Sequence, residues 1–516
     1  MRIVTAAQMR EVEQGAVKAG VSLDTLMENA GKAVAEVVER DYGPVTGKSI
    51  LILVGPGNNG SDGLVAGRHL ASTGANVTAF VGGNRPSPDP KMAAAVDAGI
   101  SVLSASDDPS HHQQRRHARD ADLIVDAILG TGQNRHISPP MSGQLSHIRT
   151  GAESGNTPVI ALDLPTGTNS DTGSIDPNGL PADRIVMLGF PKPGPYLNPS
   201  VDPFRDIETL DIGIPSGVRA PSRVELATDE LAAPLVPERS IDGNKGTFGR
   251  ALIIAGSKNF VGAARLACEA AARSGAGLVT LATAEPVYRL IASSFPDATY
   301  IPLPANQNGE LSEKPFTDEL ENAIGNASSL LIGPGLGQSS GAAGLVEQVI
   351  LDQAITSPAV LDADCLNLLS QQDGWHSRIP SQAVLTPHPG EMARLTGQTV
   401  REIQDDRLGA AVAAATEWGA VVVLKGACTV IADPDGNARI IPFANSGLAT
   451  AGTGDVLAGL IAGLLAQGLS PFDAATLGAY LHGRAGESAR EWHGEASMLA
   501  SDLLSELAQS FAAIRP

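Results

Sequence analysis

The chain is predicted to be α/β throughout and built as two domains in series, and three observations carry that expectation. Its 516 residues exceed what a single ordinary core organises. Short aliphatic runs alternate with helical periods in both halves, the pattern of a largely parallel sheet covered by helices on both faces. Between the halves, about 215–240, the text turns to Pro, Ser and charged residues without a long apolar period, so the inter-domain boundary is expected there. Ligands of such sheets bind at the carboxyl ends of the strands.

In chain order, a helix is expected to open at a capping box formed by Thr5 and Gln8. Strands then follow at Ile50–Val54, Val77–Val81, Leu123–Ile128, Val159–Leu162, Ile185–Leu188 and Ile207–Leu210. The second half restarts with Ala251–Ala255, Leu278–Ala282, Leu330–Ile332, Ala359–Leu361, Ala383–Leu385 and Ala420–Leu424. Three helices near Gly454–Gln467, Pro471–Trp492 and Ala496–Ile514 are expected to close the chain. No short-period repeat or low-complexity tract interrupts this order.

Composition narrows the partners to small molecules. A formal net charge of −20 repels a nucleic-acid backbone, and no basic patch offsets it. The longest apolar segment, Val456 to Leu469, is too short to span a bilayer, so no membrane partner is expected. The N-terminus has no apolar signal region, which makes the cytoplasm the expected location. Cys268, Cys365 and Cys428 are odd in number and far apart, and read as buried small hydrophobes rather than a disulfide framework or a metal knuckle. Lysine is scarce, which draws attention to Lys245 and Lys425 inside Gly-rich segments.

Two Gly-rich turns follow strands. The run Ile50–Val54 passes straight into GPGNNGSDGLVAGRHL, Gly55 to Leu70, with a helix expected to begin near Asp62. A strand, a Gly-rich turn and a helix bring backbone amides close to pyrophosphate. The spacing is neither a dinucleotide GxGxxG nor a Walker loop, and the nearest Walker candidate, Gly43 to Ser49, is one residue short and precedes a strand. Asp126 and Asp163 each end an expected strand and face the crevice outside the sheet, so that one can serve as a charge partner and the other as a base. The second turn is NSGLATAGTGDVLAGLIAG, Asn445 to Gly463. There the N–H groups of Ala451, Gly452, Thr453 and Gly454 precede a helix whose positive end favours phosphate, with Asp455 at its mouth as a candidate base.

GPGNNGSDG resembles the GPGNNGGDG motif of NAD(P)H-hydrate epimerases, with Ser61 in place of a glycine. LMENAG at Leu26–Gly31, DAILGTGQNRHI at Asp126–Ile137 and LDLPTGTNSDTG at Leu162–Gly173 fit the same family. The resemblance spans residues 1–220 and implies a Rossmann-like α/β/α sandwich that interconverts the R and S epimers of NADHX or NADPHX. It further implies that Asn58, Asn59, Gly60, Ser61 and Asp62, together with Gly130, Thr131, Gly132, Gln133, Asn134, Arg135 and His136, line the substrate, with catalytic Asp163 at the reacting ring. A potassium ion held near Asn59, Asp126 and Thr166 is implied as well, and oxygen ligands of these types suit a hard cation.

The second half carries NKGTFGRALIIAGS, VGAARLA, SGAGLVTLAT, IGPGLG, LDADCLNLL, LTPHPGEMARL and VVLKGACTVI before the Asp455 segment. In this order they resemble the ribokinase-like ADP-dependent NAD(P)H-hydrate dehydratases over residues 221–516. The resemblance implies a ribokinase-like α/β domain that dehydrates the S epimer to NAD(P)H with release of AMP and phosphate. Asp455 is then the catalytic base, Ala263, Gly335 and His388 touch the hydrate with it, and Lys425, Gly426, Ala427, Cys428, Thr429 and Gly454 bind ADP. Asp362 and Asp364 are the expected holders of Mg²⁺ on the nucleotide, with Asn367 in support. Relatives suggest a homo-oligomer. The rival reading is a ribokinase-like small-molecule kinase fused to a non-catalytic nucleotide-binding module, which would accumulate a phosphorylated product instead of restoring the reduced nicotinamide.

Overall fold

A computed structural model describes residues 1–132, 135–352 and 355–515 and divides the chain into two compact units, Met1–Val224 and Glu225–Pro516. The first opens on helix Ala6–Lys18, capped reciprocally by Thr5 and Gln8 as expected. Its sheet comprises β1 (Ser49–Val54), β2 (Asn76–Val81), β3 (Ser101–Ser104), β4 (Leu123–Ala127), β5 (Val159–Leu162), β6 (Arg184–Leu188) and β7 (Ile207–Leu210), in spatial order β3-β2-β1-β4-β5-β6-β7. All neighbours run parallel. Continuous aliphatic strands make sense in such a sheet because both faces are covered. On β1, Ile50, Ile52 and Val54 pack into one core layer while Leu51 and Leu53 pack into the other.

The strand order reverses between β1 and β4, and that switch point is where a crevice opens at the strands' carboxyl ends. Helix Asn58–Ser72 begins there, four residues earlier than its expected start near Asp62. Gly57 caps it by backbone alone, so Asn58 to Asp62 form the first turn rather than a loop. β3 escaped the sequence reading because SVLS is short and half exposed, without an apolar run to mark it.

The second unit's sheet contains β8 (Val224–Leu226), β9 (Arg250–Ile254), β10 (Leu278–Ala284), β11 (Thr299–Leu303), β12 (Ser329–Ile332), β13 (Ala359–Leu361), β14 (Ala383–Leu385), β15 (Val421–Leu424), β16 (Val430–Ala432) and β17 (Ala438–Ile440). Their order is β11-β10-β9-β12-β13-β14-β15-β16-β17-β8, parallel from β11 to β15 and antiparallel from β15 to β17. β11 was missed because Pro302 interrupts its run, which an edge strand tolerates. β8 and β17 each carry a charged residue, Glu225 and Arg439, at the centre of three, so no apolar run marks them.

Helix Thr453–Ala466 is buried continuously from Val456 to Ala466, so its apolar character all round marks a core helix. It lies parallel to helix Val261–Arg273 at close quarters: a Cβ at Gly459 would overlap the Ala267 carbonyl, and one at Gly463 would overlap the Ser274 hydroxyl. Helices Pro471–His493 and Ala500–Ile514 follow, the last starting four residues after its expected onset at Ala496. All three cysteines are buried, and burial pushes the thiols of Cys268 and Cys365 up. Among the described residues, no helix is long and apolar enough to cross a membrane.

Candidate functional site

In the first unit a cavity of about 380 Å³ opens at the β1/β4 switch point. Asn58, Asn59 and Asp62 from the helix start line it, with Gly130, Thr131 and Gly132 after β4 and Asp163 after β5. Asp163 adopts φ +66, a left-handed conformation that costs a non-glycine residue energy and re-aims its side chain just past the strand. Its backbone N–H donates to the Val186 carbonyl at 2.7 Å, tying the turn to β6. A Cβ on Gly130 would stand 3.2 Å from both the Asn59 amide carbon and Asp163 Oδ2, so the glycine keeps open the space between them.

Lys192, which the sequence reading did not single out, is the cation of this cavity's floor. It is 1 % exposed, and its Nζ donates to Asp163 Oδ1 at 2.6 Å and to the Leu188 carbonyl at 2.8 Å. Its signal was available: lysine scarcity and the PKP context pick it out as well as they do Lys425. The same argument failed at Lys245, which is exposed. Glu13 and Arg10, from the first helix, also reach the wall.

Several expected contacts lie elsewhere. Gly60 is packed on Gly55, and the Ser61 hydroxyl accepts from Arg85 Nη2 at 2.9 Å, so neither lines the cavity. Arg85 also donates to the Gly55 carbonyl and pairs with Asp89, clamping the loop from behind. The serine at 61 thus adds a tether to Arg85 outside the cavity lining. Arg135 is exposed, and His136 holds its ring in solvent beside Asp176, at 3.3 Å. Gln133 and Asn134 lie outside the described residues.

Asp126 and Thr166 are fully buried behind the cavity. Thr166 donates to Asp126 through both its backbone N–H and its hydroxyl, each at 2.7 Å, and the Ile128 N–H donates at 3.2 Å. These partners are all neutral, and burial pushes Asp126 up to about 6 despite them. The Asn59 side-chain nitrogen is buried without a hydrogen-bond partner. The Asp126 carboxylate and the Thr166 hydroxyl are oxygen donors of the kind that fits a hard monovalent cation, and the Asn59 amide oxygen lies with Asp163 around Gly130.

The second unit holds a cavity of about 620 Å³ whose wall joins His388, Lys425, Gly426, Ala427 and Thr429 to the main chain of Ala451 to Gly454. Thr453 fixes that turn: its hydroxyl donates to the Leu448 and Thr450 carbonyls, and its own carbonyl lies 2.9 Å from the Nε2 of buried His482. Burial lowers His482 to about 4, leaving a neutral ring that donates here. His482 was not legible from sequence because its partner is a carbonyl on another helix.

Cys428 does not line this cavity. Its side chain is buried, and its N–H donates to the Phe443 carbonyl at 2.8 Å. Nor do Ala263, Gly335 or Asp455. Gly335 and Ala263 pack against each other next to Phe260, at the start of helix Val261–Arg273. His388, by contrast, lines the cavity. Its Nδ1 caps helix Pro389–Thr396 by accepting from the Gly390 N–H at 3.0 Å.

Asp455 sits in the first turn of helix Thr453–Ala466, within electrostatic reach of Asp362, Lys425, Asp364 and Glu391. Burial, and then the charge of Asp362, push its carboxyl up to about 7. Lys425 Nζ donates to Asp362 Oδ1 at 2.8 Å, and Glu391 stands 3.8 Å away. Burial alone would lower this ammonium, but Asp362 and Glu391 hold it above its ordinary value. Glu391, absent from the sequence reading, is 5 % exposed and raised by burial to about 7. Between Asp362 and Asp364, Ala363 takes φ +52, so the acidic pair straddles a strained turn at the end of β13. Asp364 accepts from the Gly337 N–H at 2.8 Å. Asn367 is committed elsewhere, accepting from Arg394 at 2.8 Å.

Comparison with known proteins matches both units. Residues 251–509 match the family described as NAD(P)H-hydrate dehydratase, and residues 23–194 match the family described as YjeF-related protein N-terminus. A bifunctional NAD(P)H-hydrate repair enzyme of Moorella thermoacetica is 39 % identical over 98 % of this chain and 95 % of its own length. One from Salinibacter ruber is 34 % identical over 97 % and 94 %. Among solved structures, a ribokinase-like superfamily protein of Enterococcus faecalis aligns with TM-score 0.50 at 26 % identity, covering 57 % of this chain and 97 % of that one.

Proposed function

The chain belongs to the family of bifunctional NAD(P)H-hydrate repair enzymes, combining epimerase and dehydratase, and from that premise we propose how its residues divide the work. In the first unit the hydrated nicotinamide enters the cavity beside Asp163, with Asn58, Asn59 and Gly130 to Gly132 along the nucleotide. Its C6 carries both a hydroxyl and the ring nitrogen, so the centre inverts once a positioned base can move the hydroxyl proton. Asp163 is that base. Asn59, Asp126 and Thr166 would hold a potassium ion, whose charge would offset the buried carboxylate.

In the second unit ADP occupies the larger cavity, with its outer phosphate toward the N–H groups of 451–454 and Lys425. Asp455 takes the proton of the C6 hydroxyl as that oxygen attacks the terminal phosphorus. The P–O bond to the AMP moiety breaks, and the dipole of helix Thr453–Ala466 stabilises the transferring group. The ring nitrogen then expels phosphate from C6, and loss of the C5 proton restores NAD(P)H. Asp362 and Asp364, both oxygen donors, fit Mg²⁺ on the nucleotide, where it would neutralise phosphate charge. NADHX and NADPHX are both within this reading.

One observation supports the assignment above the others: a half-buried carboxylate, raised to about 7, stands at a helix start beside a lysine and an acidic pair. Asp455→Asn is expected to cut dehydration by roughly 10²–10⁴ while ADP binding, followed by calorimetry, changes little. Because the base works ionised, the wild-type rate should rise with pH through about 7. Unchanged turnover in the asparagine protein would remove Asp455 from the chemistry. Accumulation of a phosphorylated hydrate, in place of free phosphate and reduced nicotinamide, would favour the kinase reading.

A further inference from the structure

We propose that Asp62 is the proton donor of the epimerisation, kept neutral because the one buried ammonium of the cavity is spent on Asp163. The proposal rests on the epimerase reading and supplies what that reading lacks. Inversion at C6 through ring opening moves two protons, and a lone base accounts for one of them.

Asp62, Asp163 and Glu13 face the same cavity of about 380 Å³, opposite Lys192 and Arg10. Lys192 is fully committed, with Nζ 2.6 Å from Asp163 Oδ1 and 2.8 Å from the Leu188 carbonyl. Asp163 Oδ1 also accepts from the Leu188 N–H at 3.3 Å. Asp62 is as buried as Asp163, at 8 % and 7 % exposed, yet no ion pair or hydrogen bond engages its carboxyl among the described residues, and Lys192 and Lys91 act on it only by longer-range charge. Ionising it would place beside the paired Asp163 an unpaired negative charge in a pocket that must also admit a pyrophosphate, and a buried carboxyl in that position keeps its proton. Burial, followed by the charges of Asp163 and Glu13, indeed pushes Asp62 well above the usual carboxylate range. Glu13, on helix Ala6–Lys18, is raised by burial as well, with Lys192 opposing the shift as it does at Asp62 and Arg10 adding to that opposition. Two carboxyl groups with opposed environments in one site are the arrangement that divides acid from base.

The step balances as follows. Asp163 takes the proton of the C6 hydroxyl, and the oxygen lone pair forms the carbonyl. The C6–N1 bond breaks with its electron pair passing to N1, and Asp62 gives its proton to N1. Rotation about C5–C6 turns the other face of the aldehyde to nitrogen. N1 then attacks C6 and returns its proton to Asp62, while Asp163 protonates the oxygen. The two carboxyl groups end as they began.

The test uses the full chain, with interconversion of R and S NADHX followed chromatographically. Asp62→Asn should lower kcat roughly 100-fold, with KM within about twofold, and Asp62→Glu should recover part of the loss. The wild-type rate should fall at high pH as Asp62 ionises, and the asparagine variant should lack that fall. An Asp62→Asn protein at the wild-type rate, or one whose defect lies in KM alone, overturns the proposal while leaving the epimerase reading intact. If that variant does not fold, the wild-type profile decides: a rate that keeps climbing at high pH refutes the donor. A wild-type protein that never interconverts the epimers overturns the epimerase reading itself.

Discussion

Asp126 shows how a single interior carboxyl can report on an ion. With only neutral donors on it, its folded-state value near 6 lies above the ordinary 3.8, so the folded chain binds that proton more tightly than the unfolded one. Its contribution to stability is then full below about 3.8 and lost as pH rises through about 6. A cation beside the ionised form would restore the loss. Melting temperatures in potassium chloride should therefore exceed those in tetramethylammonium chloride at pH 8, and the difference should vanish at pH 5 and in Asp126→Asn. Equal melting in both salts at pH 8 would argue against an ion there. The acids at strand ends, Asp126, Asp163 and Asp362, and Asp455 at a helix start, were legible because strand periodicity and Gly-rich turns fix their place. Lys192, Glu391 and His482 were not marked in that way, since each matters through a partner brought to it only by the folded chain.

At the scale of elements, the two helices that carry the second unit's chemistry lie against each other through glycine. Gly459 and Gly463, which in the sequence read as breaks in an apolar stretch, are the points where helix Thr453–Ala466 meets Ala267, Ala271 and Ser274. A side chain has no space at Gly459, because what it meets is the Ala267 backbone, and at Gly463 it meets the Ser274 hydroxyl and the Ala271 backbone. Gly459→Val should destabilise by about 1–3 kcal/mol or more, read from the urea midpoint, and should impair dehydration while leaving epimer exchange untouched. Full dehydratase activity in that variant would mean the helices separate without moving Asp455 or Ala263. Long parallel strands were legible from their aliphatic runs. β8, β17 and β11 were not, because Glu225, Arg439 and Pro302 break the apolar run that makes the short β13 and β14 readable.

Each unit of the molecule closes its own sheet around its own interior, and the boundary after Val224 falls in the stretch where the sequence loses its apolar period. Scanning calorimetry of the intact chain should resolve two transitions, of which ADP with Mg²⁺ raises only one. A single transition, or a shift of both, would show that the halves do not melt independently. The seclusion of sulfur has a consequence of a different kind. Cys268, Cys365 and Cys428 are all shut inside the second unit, and the first two are held far from their reactive anionic form. Peroxide attacks thiolates that solvent can reach. A catalyst that restores reduced nicotinamides thus keeps its three thiols out of an oxidant's path, and its activity should outlast exposure to peroxide.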